Sequence, residues 1–136
     1  MINSSPPELT LSSESSNGAF VPVPQANCIF CKIATKQITV EPVFENEEFV
    51  AFRDMHPQAP VHVLLIPKSH YPTIMDIHDE GLLGRALLAV QQTAAALDLQ
   101  DEGFRTVLNC RDNGGQTVYH VHWHILGGRF MQWPPG

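Results

Sequence analysis

His120-Val121-His122-Trp123-His124-Ile125-Leu126 sets three histidines at alternate positions of an otherwise apolar run. A period of two is the pattern of a β-strand. The spacing therefore predicts three imidazoles on one face and Val121, Trp123 and Ile125 packed into a core on the other. Clustered titratable groups of this kind mark sites, and the chemistry indicated is chemistry on phosphorus. Imidazole is neutral enough near pH 7 to be nucleophilic, and its phosphorus adduct is labile to water, so one ring can divide a nucleotidyl transfer into two steps. His122, in the middle, is the natural nucleophile. Its neighbours are placed to bind phosphate oxygens and to stabilise developing charge.

Immediately before the triad, Asp112-Asn113-Gly114-Gly115-Gln116-Thr117 predicts a turn over residues 111–115. Adjacent glycines there let backbone N–H groups approach a phosphate, with Gln116 and Thr117 as further donors. Residues 104–109 read as a strand. Ahead of them, Leu82, Leu83, Ala86, Leu87, Val90, Ala94 and Leu97 recur at spacings of three and four, which predicts a long amphipathic helix over residues 79–99. Residues 76–79 offer its caps and Gly103 follows its end. Strands are predicted at 42–45, 49–53 and 61–66, with a hairpin turn over 45–48, and a short helix at 28–37. The class is α+β: an antiparallel sheet with one long and one short helix, both expected on one face. Residues 1–26, rich in Ser and Pro, read as a flexible tail, leaving one domain over 27–136. Trp133-Pro134-Pro135 at the other end reads as an extended segment docked on its own domain or on a second subunit.

A chain of 136 residues, 43% of them hydrophobic, can bury one core. The net charge of -6 argues against a nucleic-acid-binding surface, which is basic, and restricts an anionic ligand to locally placed donors. No stretch has the length of a membrane span, and neither a secretory signal nor an Arg-rich transit peptide is visible, so a soluble protein of the cytoplasm or nucleus is expected. Three cysteines do not form a secreted disulfide framework. Cys28-Ile29-Phe30-Cys31 has instead the two-residue gap of a zinc or redox pair; as half of a zinc site it needs two histidines for the other half. His62, His70, His78, His120, His122 and His124 are all candidates by spacing. Asp54, at a strand end, has the chemistry to accept from a sugar diol, although turns use Asp in the same way. Asn109 is equally ambiguous, and His56 and His78 sit in turn-like, solvated contexts.

The triad with Gly114-Gly115-Gln116-Thr117 before it and Gly127-Gly128-Arg129 and Trp133-Pro134-Pro135-Gly136 after it resembles the histidine-triad (HIT) family in its Hint branch, the histidine-triad nucleotide-binding proteins. Pro57-Gln58-Ala59-Pro60-Val61-His62 through Lys68 matches as well, and the likeness runs from about Cys28 to Gly136. The resemblance implies a homodimer in which two antiparallel sheets become continuous, each protomer binding a purine nucleotide of the AMP type. It implies hydrolysis of the P–N bond of adenosine 5′-phosphoramidates and aminoacyl-adenylates through a nucleotidyl-histidine. In this likeness His122 is the nucleophile, His124 a phosphate ligand, His62 a supporting active-site histidine and Thr117 the hydroxyl that helps protonate the leaving amine. Asp54 and Met55 fall at ribose and base, and Asn109, Gly115, Gln116 and Thr117 at the phosphate. The resemblance brings no catalytic cofactor. Members carrying Cys-x-x-Cys hold a structural zinc, here implying Cys28, Cys31, His70 and His120. The alternatives are a dinucleoside polyphosphate hydrolase and a non-catalytic purine-nucleotide-binding scaffold acting on regulatory protein partners.

Overall fold

The structure, a computed structural model, describes residues 24–136. The tail expected over residues 1–26 lies, up to residue 23, outside the described residues. From Gln25 onward the chain is tied in: its N–H donates to Cys31 Sγ, and its carbonyl accepts from Cys28 N–H.

Five strands form one antiparallel sheet in the order β1-β2-β3-β5-β4. They are β1 (Phe44–Glu45), β2 (Phe49–Arg53), β3 (Val61–Pro67), β4 (Arg105–Val107) and β5 (Trp123–Gly127). The helices are α1 (Ile29–Ala34), α2 (Glu80–Ala96) and α3 (Arg111–Gly114), with a 3-10 turn at Ile74–Asp76. Helix α2 begins at Asp79, whose side chain accepts from the N–H groups of Gly81 and Leu82. It buries Leu82, Ala86, Ala89, Val90, Thr93 and Ala94. Of the stripe expected from the three-and-four spacing, Leu82, Ala86, Val90 and Ala94 are buried and Leu83 and Leu97 pack against the core, whereas Leu87 faces solvent and Ala89 is buried in its place. Turned toward that stripe are Phe49, Ala51, Val63, Leu65, Val121, Trp123 and Ile125, which together make the larger core.

Several expectations need correction. The helices do not share one face: Phe30 and Ile33 of α1 pack with Val50, Phe52, Leu64 and Ile66, the alternate residues of β2 and β3, on the side opposite α2. The triad run is also not one continuous strand. Regular pairing of β5 with β3 starts at Trp123, opposite Leu65, while Val121 N–H donates instead to the Tyr71 carbonyl. The cause is Pro67, which ends β3 and has no N–H to continue a ladder. Its carbonyl instead takes a bond from the His120 ring. Strand β4 is shorter than the predicted 104–109, and residues 111–114 close into a helical turn.

Candidate active site and metal centre

Leu64 of β3 lies directly opposite His124 of β5, and Phe52 of β2 directly opposite Leu64, so His124 shares the α1 face of the sheet. His62, His122 and Asp54 gather on this face. His62 and His122 are almost fully buried, at 5% and 7% exposed, and the His122 and His124 ring centroids are 5.0 Å apart.

Hydrogen bonds to the backbone fix the protons. His122 Nδ1 lies 2.8 Å from the His120 carbonyl, which can only accept, so Nδ1 carries the hydrogen and Nε2 is left as a lone pair. Burial lowers the pKa of His122 from the ordinary value, favouring the neutral ring. On the neighbouring strand, Gln58 N–H donates to His62 Nδ1 at 3.0 Å. His62 Nε2 must therefore carry its proton, which it donates to His124 Nδ1 at 2.9 Å, leaving the His124 proton on Nε2. Asp54 Oδ2 stands 3.4 Å from His62 Nε2, while its Oδ1 accepts from His56 N–H. The face thus presents one lone pair at His122 beside one N–H at His124. Such a pair suits in-line attack on phosphorus with a donor on a phosphate oxygen.

Burial, with repulsion from the His122 and His62 rings, pushes His124 down to about 4. An unfolded His binds its proton near 6.5, so folding must expel it. The stability carried by neutral His124 is fully present above 6.5 and is lost as pH falls toward 4. Between pH 7 and pH 5 the wild-type protein should lose roughly 3–6 °C more of its melting temperature than His124→Asn. An equal loss in both proteins would contradict this account.

The loop before the triad is a closed unit. Gly115 takes the left-handed conformation (φ 78°), where glycine is favoured, and its N–H donates to the Asp112 carbonyl. Gln116 is buried: Oε1 accepts from Arg111 N–H, and Nε2 donates to the Pro72 and Val118 carbonyls. Its main-chain N–H donates to the Arg111 carbonyl. Gln116 therefore braces the loop, and the free donor at its end is Thr117, which is exposed and makes no hydrogen bond among the described residues. Asn109 is half-buried just ahead of this loop, and Met55, 86% exposed, follows Asp54 at the rim.

Of the histidines left open by spacing, the fold brings His70 and His120 to the cysteine pair. Cys28 Sγ is 3.3 Å from His120 Nδ1, Cys31 Sγ is 3.2 Å from His70 Nδ1 and 3.6 Å from His120 Nδ1. All four ligand atoms lie within 4.8 Å of one another. Zinc bonds of ~2.3 Å to sulfur and ~2.0–2.1 Å to nitrogen in a tetrahedron give S···N edges of about 3.5 Å, so the donor set fits a metal ion. The surroundings fit too. His120 Nε2–H donates to the Pro67 carbonyl at 2.8 Å, which turns its Nδ1 lone pair to the sulfurs, and N–H groups of Cys31 and Gln25 donate to Cys28 Sγ and Cys31 Sγ. Burial raises the Cys31 thiol to about 11 in the absence of a cation, a cost that a bound divalent ion offsets. Asp54, His62 and His124 are also within ligating range of each other. Because His62 Nδ1 accepts from Gln58 N–H and its Nε2–H is given to His124, both ring nitrogens are already engaged, so that cluster is better read as a hydrogen-bond relay. His56 and His78 are exposed, as expected.

Sequence reasoning missed Phe30 and Gln58. Phe30 stands edge-on to His122, with ring centroids 5.2 Å apart and planes at 83°, and also meets His120 and Phe52. Gln58 acts through its main chain, for which a sequence carries no signal.

The HIT domain family matches residues 35–131. The chain is 49% identical over 110 residues to an uncharacterized HIT-like protein of Synechococcus elongatus, covering 79% of this chain and 96% of that relative. It is 48% identical over 103 residues to Protein HitA of Neisseria gonorrhoeae, covering 74% and 95%. Among solved structures, a HIT family hydrolase from Legionella pneumophila superposes with a TM-score of 0.77 at 50% identity, covering 81% of this chain and 100% of that one. A histidine triad nucleotide-binding protein from Candida albicans superposes with a TM-score of 0.69 at 30% identity, covering 79% and 83%.

Proposed function

The chain belongs to the HIT domain family, and on that premise we propose that it is a purine nucleoside phosphoramidase of the Hint branch. It hydrolyses the P–N bond of adenosine 5′-phosphoramidates and aminoacyl-adenylates through a nucleotidyl-His122. The observation that carries this reading is the proton arrangement: Nδ1–H of His122 is held by the His120 carbonyl, so Nε2 is a lone pair in a ring kept neutral by burial. In the first step Nε2 bonds to the α-phosphorus and the P–N bond breaks. The exposed Thr117 hydroxyl passes its proton to the departing amine as it takes another from solvent water, and His124 Nε2–H donates to a phosphate oxygen. In the second step water attacks phosphorus and gives up a proton to solvent, and the Nε2–P bond breaks to release AMP and neutral His122. Asp54 takes the ribose hydroxyls, and Met55 and Asn109 border the nucleotide.

No cofactor takes part in these steps. Zinc held by Cys28, Cys31, His70 and His120 would brace the strand behind the nucleophile, and reduced thiols suit a cytoplasmic or nuclear protein. Among the described residues no helix is long and apolar enough to cross a membrane. The homodimer belongs to the same reading. Among the described residues strand β4 is an open edge, and Arg105 on it donates to the Gln132 carbonyl and faces the Trp133 ring, which is itself 78% exposed. A second copy pairing there would continue the sheet and cover Trp133.

Two measurements test the reading. Purified protein should turn over an AMP amidate far faster than a diadenosine polyphosphate; the reverse order would place it in the polyphosphate-cleaving branch, and AMP binding without amine release would make it a scaffold. Thr117→Val should slow release of alkylamines by roughly 10–100-fold and of weakly basic anilines much less, because only the former need a proton as they leave. Equal slowing of both would remove Thr117 from that role.

A further inference from the structure

We propose that occupancy of the Cys28, Cys31, His70 and His120 centre sets the readiness of His122 to attack, so that the cation regulates the neighbouring site as well as bracing the fold. This rests on the reading of His122 as nucleophile. Two physical links run from the four ligands to that ring. The first is His120, whose ring is pinned at both ends, by the Pro67 carbonyl at Nε2 and by the sulfurs at Nδ1, and whose own carbonyl holds His122 Nδ1–H. The second is Phe30, which sits in the chain between Cys28 and Cys31 and lies edge-on to both His120 and His122.

Helix α1 has six residues, too few to be stable by its own hydrogen bonds. It is held to the sheet by the small cluster around Phe30 and Ile33 and by the two sulfur ligands. With a cation bound, the turn bearing Phe30 and the residue bearing the carbonyl are fixed together. With the cation gone, both are released, and the imidazole proton of His122 is no longer confined to Nδ1. A ring with its proton on Nε2 shows phosphorus an N–H and no lone pair. His120 and Phe30 are thus positioning residues acting through His122.

The test compares the full chain loaded with zinc and stripped by a chelator, at a temperature where circular dichroism shows both forms folded. Three quantities are read: the single-turnover rate of AMP-adduct formation, the Kd for AMP, and the His122 tautomer by 15N-histidine NMR. Stripping should slow adduct formation by at least about tenfold, change AMP affinity by less than about threefold, and move His122 from the Nδ1–H form to a mixture, with zinc restoring all three. An unchanged rate with an unchanged tautomer overturns the proposal. If the stripped protein does not stay folded, Phe30→Leu with zinc content verified is the second variant; it should show the same slowing and mixed tautomer, and wild-type behaviour overturns the proposal. No adduct in either form, with the tautomer still following zinc, supports the linkage and overturns the phosphoramidase reading.

Discussion

His122→Ala should lower turnover of an AMP phosphoramidate by roughly ten-thousand-fold while leaving the protein folded at the assay temperature and AMP affinity close to wild type. The size follows from the role. Removing the nucleophile removes the covalent route altogether, and water held by the remaining donors is a much slower substitute. Binding should survive because the other proposed contacts, Asp54, His124 and Thr117, do not depend on the His122 ring. Among them, His124 takes its orientation from His62, which is oriented in turn by Gln58. A variant that unfolds would be uninformative about role, so His122→Gln serves beside it: it keeps most of the side-chain volume and can still reach the His120 carbonyl. Turnover retained within about tenfold by either variant would show that the attacking group lies elsewhere, since loss of a nucleophile costs far more than this.

Metal removal should have the largest effect on stability. Four ligand atoms from three distant segments of chain meet between α1 and the sheet, and Cys31 and His120 are almost wholly buried. A zinc ion in such a site contributes several kcal/mol of folding free energy, which for a domain of this size corresponds to a fall of more than about 10 °C in melting temperature on chelation. Cys31→Ser should melt at the same reduced temperature and no longer respond to chelator. A native protein that carries no stoichiometric metal and melts unchanged in chelator would mean that the four residues pack as thiols and neutral imidazoles.

The residues themselves disclosed much of this arrangement. Alternation marked His120, His122 and His124 as a set, and Trp123 packs in the core as its place in that alternation requires. The three-and-four spacing gave Leu82, Ala86, Val90 and Ala94 of the buried stripe of α2, but it also counted Leu87, which faces solvent, and passed over Ala89. The position of α1 opposite α2 was missed although a signal existed: Phe49-Val50-Ala51-Phe52 and Val63-Leu64-Leu65-Ile66 are continuously apolar, which means both faces of those strands are covered. The start of β5 depends on Pro67, a residue more than fifty positions away, and local periodicity cannot register a partner strand's missing N–H. Spacing supplied the cysteine pair and left six histidines open; the fold chose His70 and His120 by folding distant segments together. Gln116 read as a phosphate donor by type, whereas its amide closes the loop by three bonds to main chain.

A nucleotidyl-histidine mechanism requires that His122 Nε2 become covalently bonded to the nucleotide. Rapid-quench reaction of the full chain with a fluorogenic AMP phosphoramidate, followed by intact mass and peptide mapping, would detect that bond. The expected result is a transient species heavier by one AMP moiety, formed as amine is released, mapped to the peptide carrying His122 and absent from His122→Ala. Amine release with no adduct at any time point, or an adduct mapped to another residue, would contradict the account.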